Sequence, residues 1–468
     1  MTHVNRLSEI IEQKKEKFIE VSDRIWNFAE TRFEEYQSAE LLCSTLESEG
    51  FSIEKGVGNI ETAFIGSFGT GKPVVAIMGE FDALSGMSQK KATAKQEPIV
   101  QGENGHGCGH NLLGTGSLAA AVAVKDYMEE NHLNGTVRFY GCPGEEGGSG
   151  KTFMVREGLF DDVDFAFCWH PLDVNGIMSM DSLSNFQVYY KFKGKSSHAA
   201  ASPHLGRSAL DAVELMNVGV NYLREHIIQE ARVHYAITNS GGLSPNVVQQ
   251  DAEVLYLVRA PEVSQVQDIY LRVCNIARGA ALMTGTEVEI VFDKACSNVI
   301  QNTVLESVMY KNFQEIGIPQ HDDKEKQLAK EVRDTLTEQE RNSTTNPFKD
   351  SQDDAMASWL EPIEGCQSPL TGSSDVGDVS WIVPTAQCTT ACFVLGSPLH
   401  SWQWVTLGST SIAHKGMLHA GKVIAATAVE VLQNPELIDK AKAELKERLK
   451  GKSYVSPIPQ DVKPSAKR

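Results

Sequence analysis

The chain has 468 residues, 41% hydrophobic and 22% charged, with 61 carboxylates against 43 lysines and arginines and a formal net charge of -18. That length exceeds what one hydrophobic core ordinarily holds, so two or three domains of an ordinary soluble globular protein are expected. The acidic excess argues against nucleic acid or an anionic membrane surface as main partner, because both need concentrated positive charge; an anionic small substrate needs only a local positive spot.

The N-terminus, MTHVNRLSEIIEQKKEKF, is polar and reads as a helix running to about residue 30. It lacks the apolar core of a signal peptide, and no segment approaches about 20 apolar residues. The nine cysteines lack framework spacing and read as reduced thiols. A cytoplasmic protein is therefore expected.

Further along, KPVVAIMGEFDAL (72–84), GTVRFY (135–140) and VDFAFCW (163–169) read as three buried strands. Between them, LLGTGSLAAAVAVKDYMEE reads as a long helix and KTFMVREGLF as a shorter one. Strands alternating with helices predict an α/β fold, a mostly parallel sheet with helices on both faces. The pattern changes near residue 185. NFQVYYKFKG, the helix SALDAVELMNVGVNYLREHI, the strands RVHYAITNS and AEVLYLVRA, the helix VSQVQDIYLRVCNIARGAALM and the strand TEVEIVFDKA follow in order. That βαββαβ order predicts an inserted ferredoxin-like domain, dividing the chain into a catalytic domain in two parts, 1–184 and 296–468, and an insert, 185–295. Residues 321–370 are polar and read as helix followed by exposed loop. Sheet-like sequence resumes at CFVLGSPLH, a helix follows over SIAHKGMLHAGKVIAATAVEVL, and the basic tail ends in proline-rich coil.

The reactive side chains fall at predicted strand ends. Asp82 follows the first strand, Glu145 and Glu146 the second, His170 the third, and ligands of open α/β sheets bind beyond such ends. In GENGHGCGHN (102–111), Cys108 and His110 sit two apart and face one side in extended backbone. A thiolate and an imidazole suit zinc or another borderline divalent metal; the plainer alternative is a structural cysteine beside a capping histidine. In GCPGEEGGSGK (141–151), one carboxylate of the pair can bind metal while the other takes a proton from water; a solvated acidic loop is the alternative. His170 in FCWHP, His198 in GKSSHAAASPH and His400 in GSPLHSWQW are individually ambiguous between ligand and ordinary core or surface histidine. Asp375 and Asp378 in GSSDVGDVSW read either as residues orienting ligands or as a loop cap.

Taken together, the order EFDAL, GHGCGHN, CPGEEGG, CWHP, GKSSHAAASPH, GGLSPNVV, GSSDVGDVSW and PLHSWQ resembles the aminoacylase and carboxypeptidase-G superfamily of metallopeptidases, and within it the amidohydrolase branch. The resemblance runs from the first helix to the C-terminal region. It implies two divalent metal ions, zinc or manganese, held by Cys108, His110, Glu146, His170 and His400. It further implies Glu145 as general base and Asp82 as the aspartate that orients a ligand. Many relatives place a histidine ligand two residues before that aspartate; Glu80 stands there, and it is not assigned to metal. His198 matches a histidine that reaches the neighbouring subunit's active site and steadies the oxyanion. Asn246 and Arg259 match a pair that handles the substrate's carboxylate or the developing charge. The implied substrate is a small N-acyl or N-aroyl amino acid such as p-aminobenzoyl-glutamate. The implied assembly is a homodimer, or a hetero-oligomer with a related subunit, formed through the inserted domain. Two other readings stand beside this one: Cys108 as a nucleophile with His110 as base, which leaves Glu146, His170 and His400 unexplained, and a non-catalytic subunit that completes its partner's site through His198.

Overall fold

The computed structural model describes residues 2–179, 181–344, 354–363 and 372–466. It divides into two compact units, one of Met1–Met180, Ile300–Pro369 and Val379–Tyr454, the other of Asp181–Val299, Leu370–Asp378 and Val455–Arg468. In chain order the strands are β1 (Ser52–Lys55), β2 (Phe64–Thr70), β3 (Val74–Glu80), β4 (Gly135–Cys142), β5 (Phe165–Leu172), β6 (Gly176–Ile177), β7 (Ser184–Lys193), β8 (Arg232–Asn239), β9 (Asp251–Ala260), β10 (Glu287–Cys296) and β11 (Thr385–Ala391).

The first unit is built on a sheet ordered β1-β2-β4-β3-β5-β11-β6. Its centre, β4-β3-β5-β11, is parallel; β1, β2 and β6 join antiparallel at the edges. Every residue of β3 is buried, as expected of a strand covered on both faces. The helix His110–Asn131 is buried from His110 to Lys125, because an alanine-rich helix with no polar face belongs inside. It packs between β3 and the equally apolar helix Ser411–Leu432. Two cross-links fix its height on the sheet: Trp169 Nε1 donates to the Leu113 carbonyl at 2.9 Å and Ser117 Oγ to the Met78 carbonyl at 2.7 Å.

Several details differ from the sequence reading, among them the helices Tyr36–Ser48, Thr303–Ile316 and Pro435–Leu449, which it does not name. The opening helix is two helices, His3–Gln13 and Lys15–Phe28, broken at Lys14. β1 and β2, at the antiparallel end of the sheet, are not expected from the sequence, because β1 (SIEK) has a single apolar residue and β2 (FIGSFGT) is broken by two glycines. The last strand is TAQCTTA, not CFVLGSPLH: β11 pairs in parallel register from Thr385↔Ala166 to Ala391↔Leu172, and then the N–H groups of Cys392 and Phe393 both turn to the Leu172 carbonyl, at 2.8 and 3.2 Å, ending the ladder. The expected helix after residue 320 is Asp323–Arg333; residues 345–353 and 364–370 of the expected loop lie outside the described residues.

The second unit holds an antiparallel sheet ordered β10-β7-β9-β8, and the helices Ala209–Leu223 and Val263–Thr284 pack on it. Element order and strand order together are those of the expected ferredoxin-like split. Alternate residues of β9 (Ala252, Val254, Tyr256, Val258 and Ala260) point into the core, the period of a strand with one buried face. Among the described residues, no helix is long and apolar enough to cross a membrane.

Candidate metal centre

The site of the first unit gathers at the carboxyl ends of three neighbouring parallel strands, β4, β3 and β5. β3 ends at Glu80, with Asp82 two residues on. β4 ends at Cys142 and leads into the single helical turn Glu145–Gly148. β5 carries His170. Two glycines make the connecting loops possible. Gly144, the residue before that turn, has φ 67°, and a Cβ there would lie 2.8 Å from the Phe33 ring. Gly109, the N-cap of the helix His110–Asn131, has φ 74°, and its Cβ would lie 2.9 Å from Pro171. Both needs, left-handed backbone and a close approach, are glycine's to meet. The result is that Cys108 is pressed against the end of β5 and His110 opens a buried helix.

Cys108 Sγ stands 3.5 Å from His170 Nε2, and His170 Nδ1 donates to the Pro171 carbonyl at 2.9 Å. That second bond fixes the tautomer, leaving the Nε2 lone pair turned to the sulfur. His110 Nδ1 lies 2.9 Å from Asp82 Oδ1, so when the ring is neutral its proton stays on Nδ1 and Nε2 presents a lone pair. With no ion bound, burial resists the charged ring, but Cys108 and Asp82 outweigh it and favour that form. Nε2 of His110 is fully buried without a hydrogen bond and stands 3.4 Å from Glu80 Oε2. His400, with φ 58° and half exposed at the rim, comes within 3.2 Å of Glu146 Oε1. Among the described residues, ligand atoms fall into three groups whose members all lie within 4.8 Å of one another: Cys108, His110 and His170; Cys108, Glu146 and His400; and Glu80, His110 and Glu145. The first two share the sulfur of Cys108.

The electrostatics of this donor set are those of a site built for positive charge. Burial pushes the Cys108 thiol well above its ordinary range, and the charge of Glu146 adds to this. A cysteine nucleophile and a thiolate ligand both need the opposite shift, which a cation bound beside the sulfur would supply. Burial, then the neighbouring His110, lower His170 to about 4, keeping it neutral and available as a ligand. Burial resists ionisation of Glu146 too, but His400 and the charge of His110 outweigh it and bring the carboxyl to about 2. One sulfur, three imidazole nitrogens and flanking carboxylates are a donor set for borderline divalent cations, and an orphaned buried nitrogen fits that use.

Thus Asp82, Cys108, His110, Glu145, Glu146, His170 and His400 come together. The site also contains a pair that the sequence reading left out. Glu80 Oε1 accepts from Lys151 Nζ at 2.7 Å, with side-chain exposures of 3% and 0%. The position of Glu80, two before Asp82, was the one signal of it; nothing in KTFMVREG marks Lys151 as buried.

His198, Asn246 and Arg259 belong to the second unit. His198 is exposed, and its Nδ1 accepts from the N–H groups of Ala200 and Ala201 at 3.2 and 3.1 Å. The proton of the neutral ring therefore sits on Nε2, which faces outward as a donor. Asn246 is next to it, its carbonyl accepting from Ala199 N at 2.9 Å. Arg259, on β9, donates to Ser373 Oγ at 2.9 Å. Asp378 binds the Ser297 N–H at 3.0 Å and hydroxyl at 2.7 Å, which makes it a clamp on the chain leaving β10.

Residues 76–462 match the model of peptidase family M20/M25/M40. The chain is 52% identical over 471 residues, 98% of each protein, to one of the subunits of p-aminobenzoyl-glutamate hydrolase from Escherichia coli strain K12. It is 27% identical over 460 residues, 95% of this chain and 92% of the relative, to the Xaa-Arg dipeptidase of Mus musculus. Its fold is similar to a crystal structure of a dinuclear metal-binding peptidase of family M20 from Bacillus subtilis, with TM-score 0.52, 19% identity, and 90% of this chain and 99% of that one covered. The chain therefore belongs to peptidase family M20/M25/M40, and it is an enzyme of the metallopeptidase and amidohydrolase type.

Proposed function

We propose that the chain hydrolyses the amide bond of a small N-acyl or N-aroyl amino acid. p-Aminobenzoyl-glutamate, cut to p-aminobenzoate and glutamate in folate breakdown, is the first candidate, given the name of the 52% identical relative. The observation that carries this reading is the shared sulfur: two ligand groups meet at Cys108, with the carboxylate of Glu145 beside them. Two divalent ions, zinc or manganese, are held on this reading by Cys108, His110 and His170 and by Cys108, Glu146 and His400. Once bound, such ions polarise an amide carbonyl and lower the pKa of an attacking water.

The chain's own residues do the rest. Glu145 takes a proton from the attacking water and returns it to the departing amine nitrogen, so it must begin ionised. Asp82 holds the tautomer of His110. His198 presents Nε2–H to the oxyanion in a neighbouring subunit, and Asn246 and Arg259 receive the substrate's carboxylate, for which a guanidinium fork is suited. Loss of one such oxyanion donor typically costs about 3 kcal/mol, a hundredfold or more in rate. The assembly is a homodimer or, as the relative's designation as one subunit of a hydrolase suggests, a hetero-oligomer with a related chain. Dipeptidase specificity at the same site is the alternative that the Xaa-Arg dipeptidase relative supports.

The test is a panel of amide substrates assayed with the purified chain alone, before and after chelation. Expected is turnover of p-aminobenzoyl-glutamate that chelator abolishes and added metal restores, and that Glu145→Gln loses by at least about a hundredfold with ion content unchanged. Retained turnover in Glu145→Gln removes the base. A metal-loaded chain with no turnover favours the reading in which this chain completes a partner's site.

A further inference from the structure

Lys151 is fully buried on the helix Gly150–Arg156, immediately after the turn that carries Glu145 and Glu146. A buried ammonium is costly unless an anion meets it at close range, and Glu80 does so at 2.7 Å. The other oxygen of Glu80 faces the centre: it lies 3.4 Å from His110 Nε2, and Glu80, His110 and Glu145 form one of the three ligand groups. A carboxylate so placed could bind an ion, and its anchored oxygen says what restrains it.

Counting charges gives Lys151 its meaning. The centre gathers five groups that are anionic when ions are bound: Glu80, Asp82, the Cys108 thiolate, Glu145 and Glu146. Two divalent ions bring four positive charges, and the buried ammonium of Lys151 adds one more at Glu80. We propose that Lys151 is a positioning residue of the metal centre, a fixed cation that neutralises Glu80 and thereby sets how tightly the two ions are held. Removing Lys151 makes the centre one charge more negative; removing the charge of Glu80 makes it one charge more positive. The inference rests on the two-ion reading above.

The experiment is a chelator-competition titration of cobalt into wild type, Lys151→Met, Glu80→Gln and the double variant, with circular dichroism to confirm folding. Expected are two ions per wild-type chain. Glu80→Gln should weaken the looser ion on the order of tenfold or more, Lys151→Met should tighten it by a similar factor, and the double variant should return to within about threefold of wild type. A merely structural pair would weaken binding in both single variants, and that result, or a double variant as weak as the weaker single, overturns the proposal. Should Lys151→Met fail to fold, Glu80→Gln and the double variant decide: weakening in the first and recovery in the second support it, and equal weakening in both overturns it. A wild type that takes up no cobalt refutes the two-ion reading instead, and shows itself before any variant is compared.

Discussion

Asp82 joins the two loops of the centre: its Oδ1 lies 2.9 Å from His110 Nδ1, and its Oδ2 accepts from the Glu146 N–H at 3.0 Å. One side chain, itself fully buried, so fixes a ring and the backbone of the carboxylate pair. Asp82→Asn keeps the shape but removes the charge and the tautomer control. Outer partners of metal-ligating histidines are typically worth about 10–100-fold in affinity or activity. A loss of that size in kcat and in ion affinity is expected, with a melting temperature close to wild type in the ion-free protein. Steady-state kinetics and chelator competition check it; unchanged values would show that His110 needs no such partner.

Because the sulfur of Cys108 is common to two ligand groups, its removal should differ in kind from removal of either outer histidine. Cys108→Ala is expected to lose both ions, whereas His170→Ala and His400→Ala should each keep about one. Elemental analysis of the dialysed proteins measures this directly. If Cys108→Ala kept two ions, the shared-sulfur arrangement would be wrong.

His198 offers Nε2–H to solvent from the second unit. If it serves a neighbouring subunit, His198→Ala and Glu145→Gln are each expected to be nearly inactive, while a co-expressed mixture recovers a measurable share of activity through mixed oligomers. A donor lost from such a site costs about a hundredfold, so recovery to a few per cent is well above background. No recovery in verified mixed oligomers would place His198 outside catalysis.

Away from the centre, Glu325 caps the helix Asp323–Arg333 through the Asp322 N–H at 2.8 Å and pairs with Lys415 at 2.6 Å. Burial disfavours its charge, but Lys415, Ser411 and the cap outweigh it and hold the carboxyl at about 2, below its ordinary 4.5. A carboxyl lowered by folding adds stability above its unfolded pKa and loses it as pH falls through the folded value. Glu325→Gln should therefore melt about 2 °C lower than wild type at pH 7, with the difference shrinking from about pH 4.5 and gone near pH 2. A gap independent of pH would show that packing, not charge, is at work.

Much of this was legible in the chain itself. Apolar runs such as VVAIMG and FAFCW are buried on both faces, so hydrophobicity alone places them, and the short distance from each strand end to Asp82, Glu145 and His170 follows. The helix order and the split βαββαβ arrangement came from periodicity. The last strand, TAQCTTA, did not, because three threonines and a glutamine interrupt its apolar pattern and its partner β5 lies some two hundred residues back in sequence.

What the sequence by itself determined is which residue types reach the strand ends, and hence that sulfur, imidazole and carboxylate meet at one edge. What only the tertiary structure decided is how their charges are shared: that Cys108 serves two groups, that Asp82 spans two loops, and that Lys151 is buried against Glu80, 71 positions away along the chain. Burial and charge pairing depend on distances between segments remote in sequence, and no local pattern of residues encodes them.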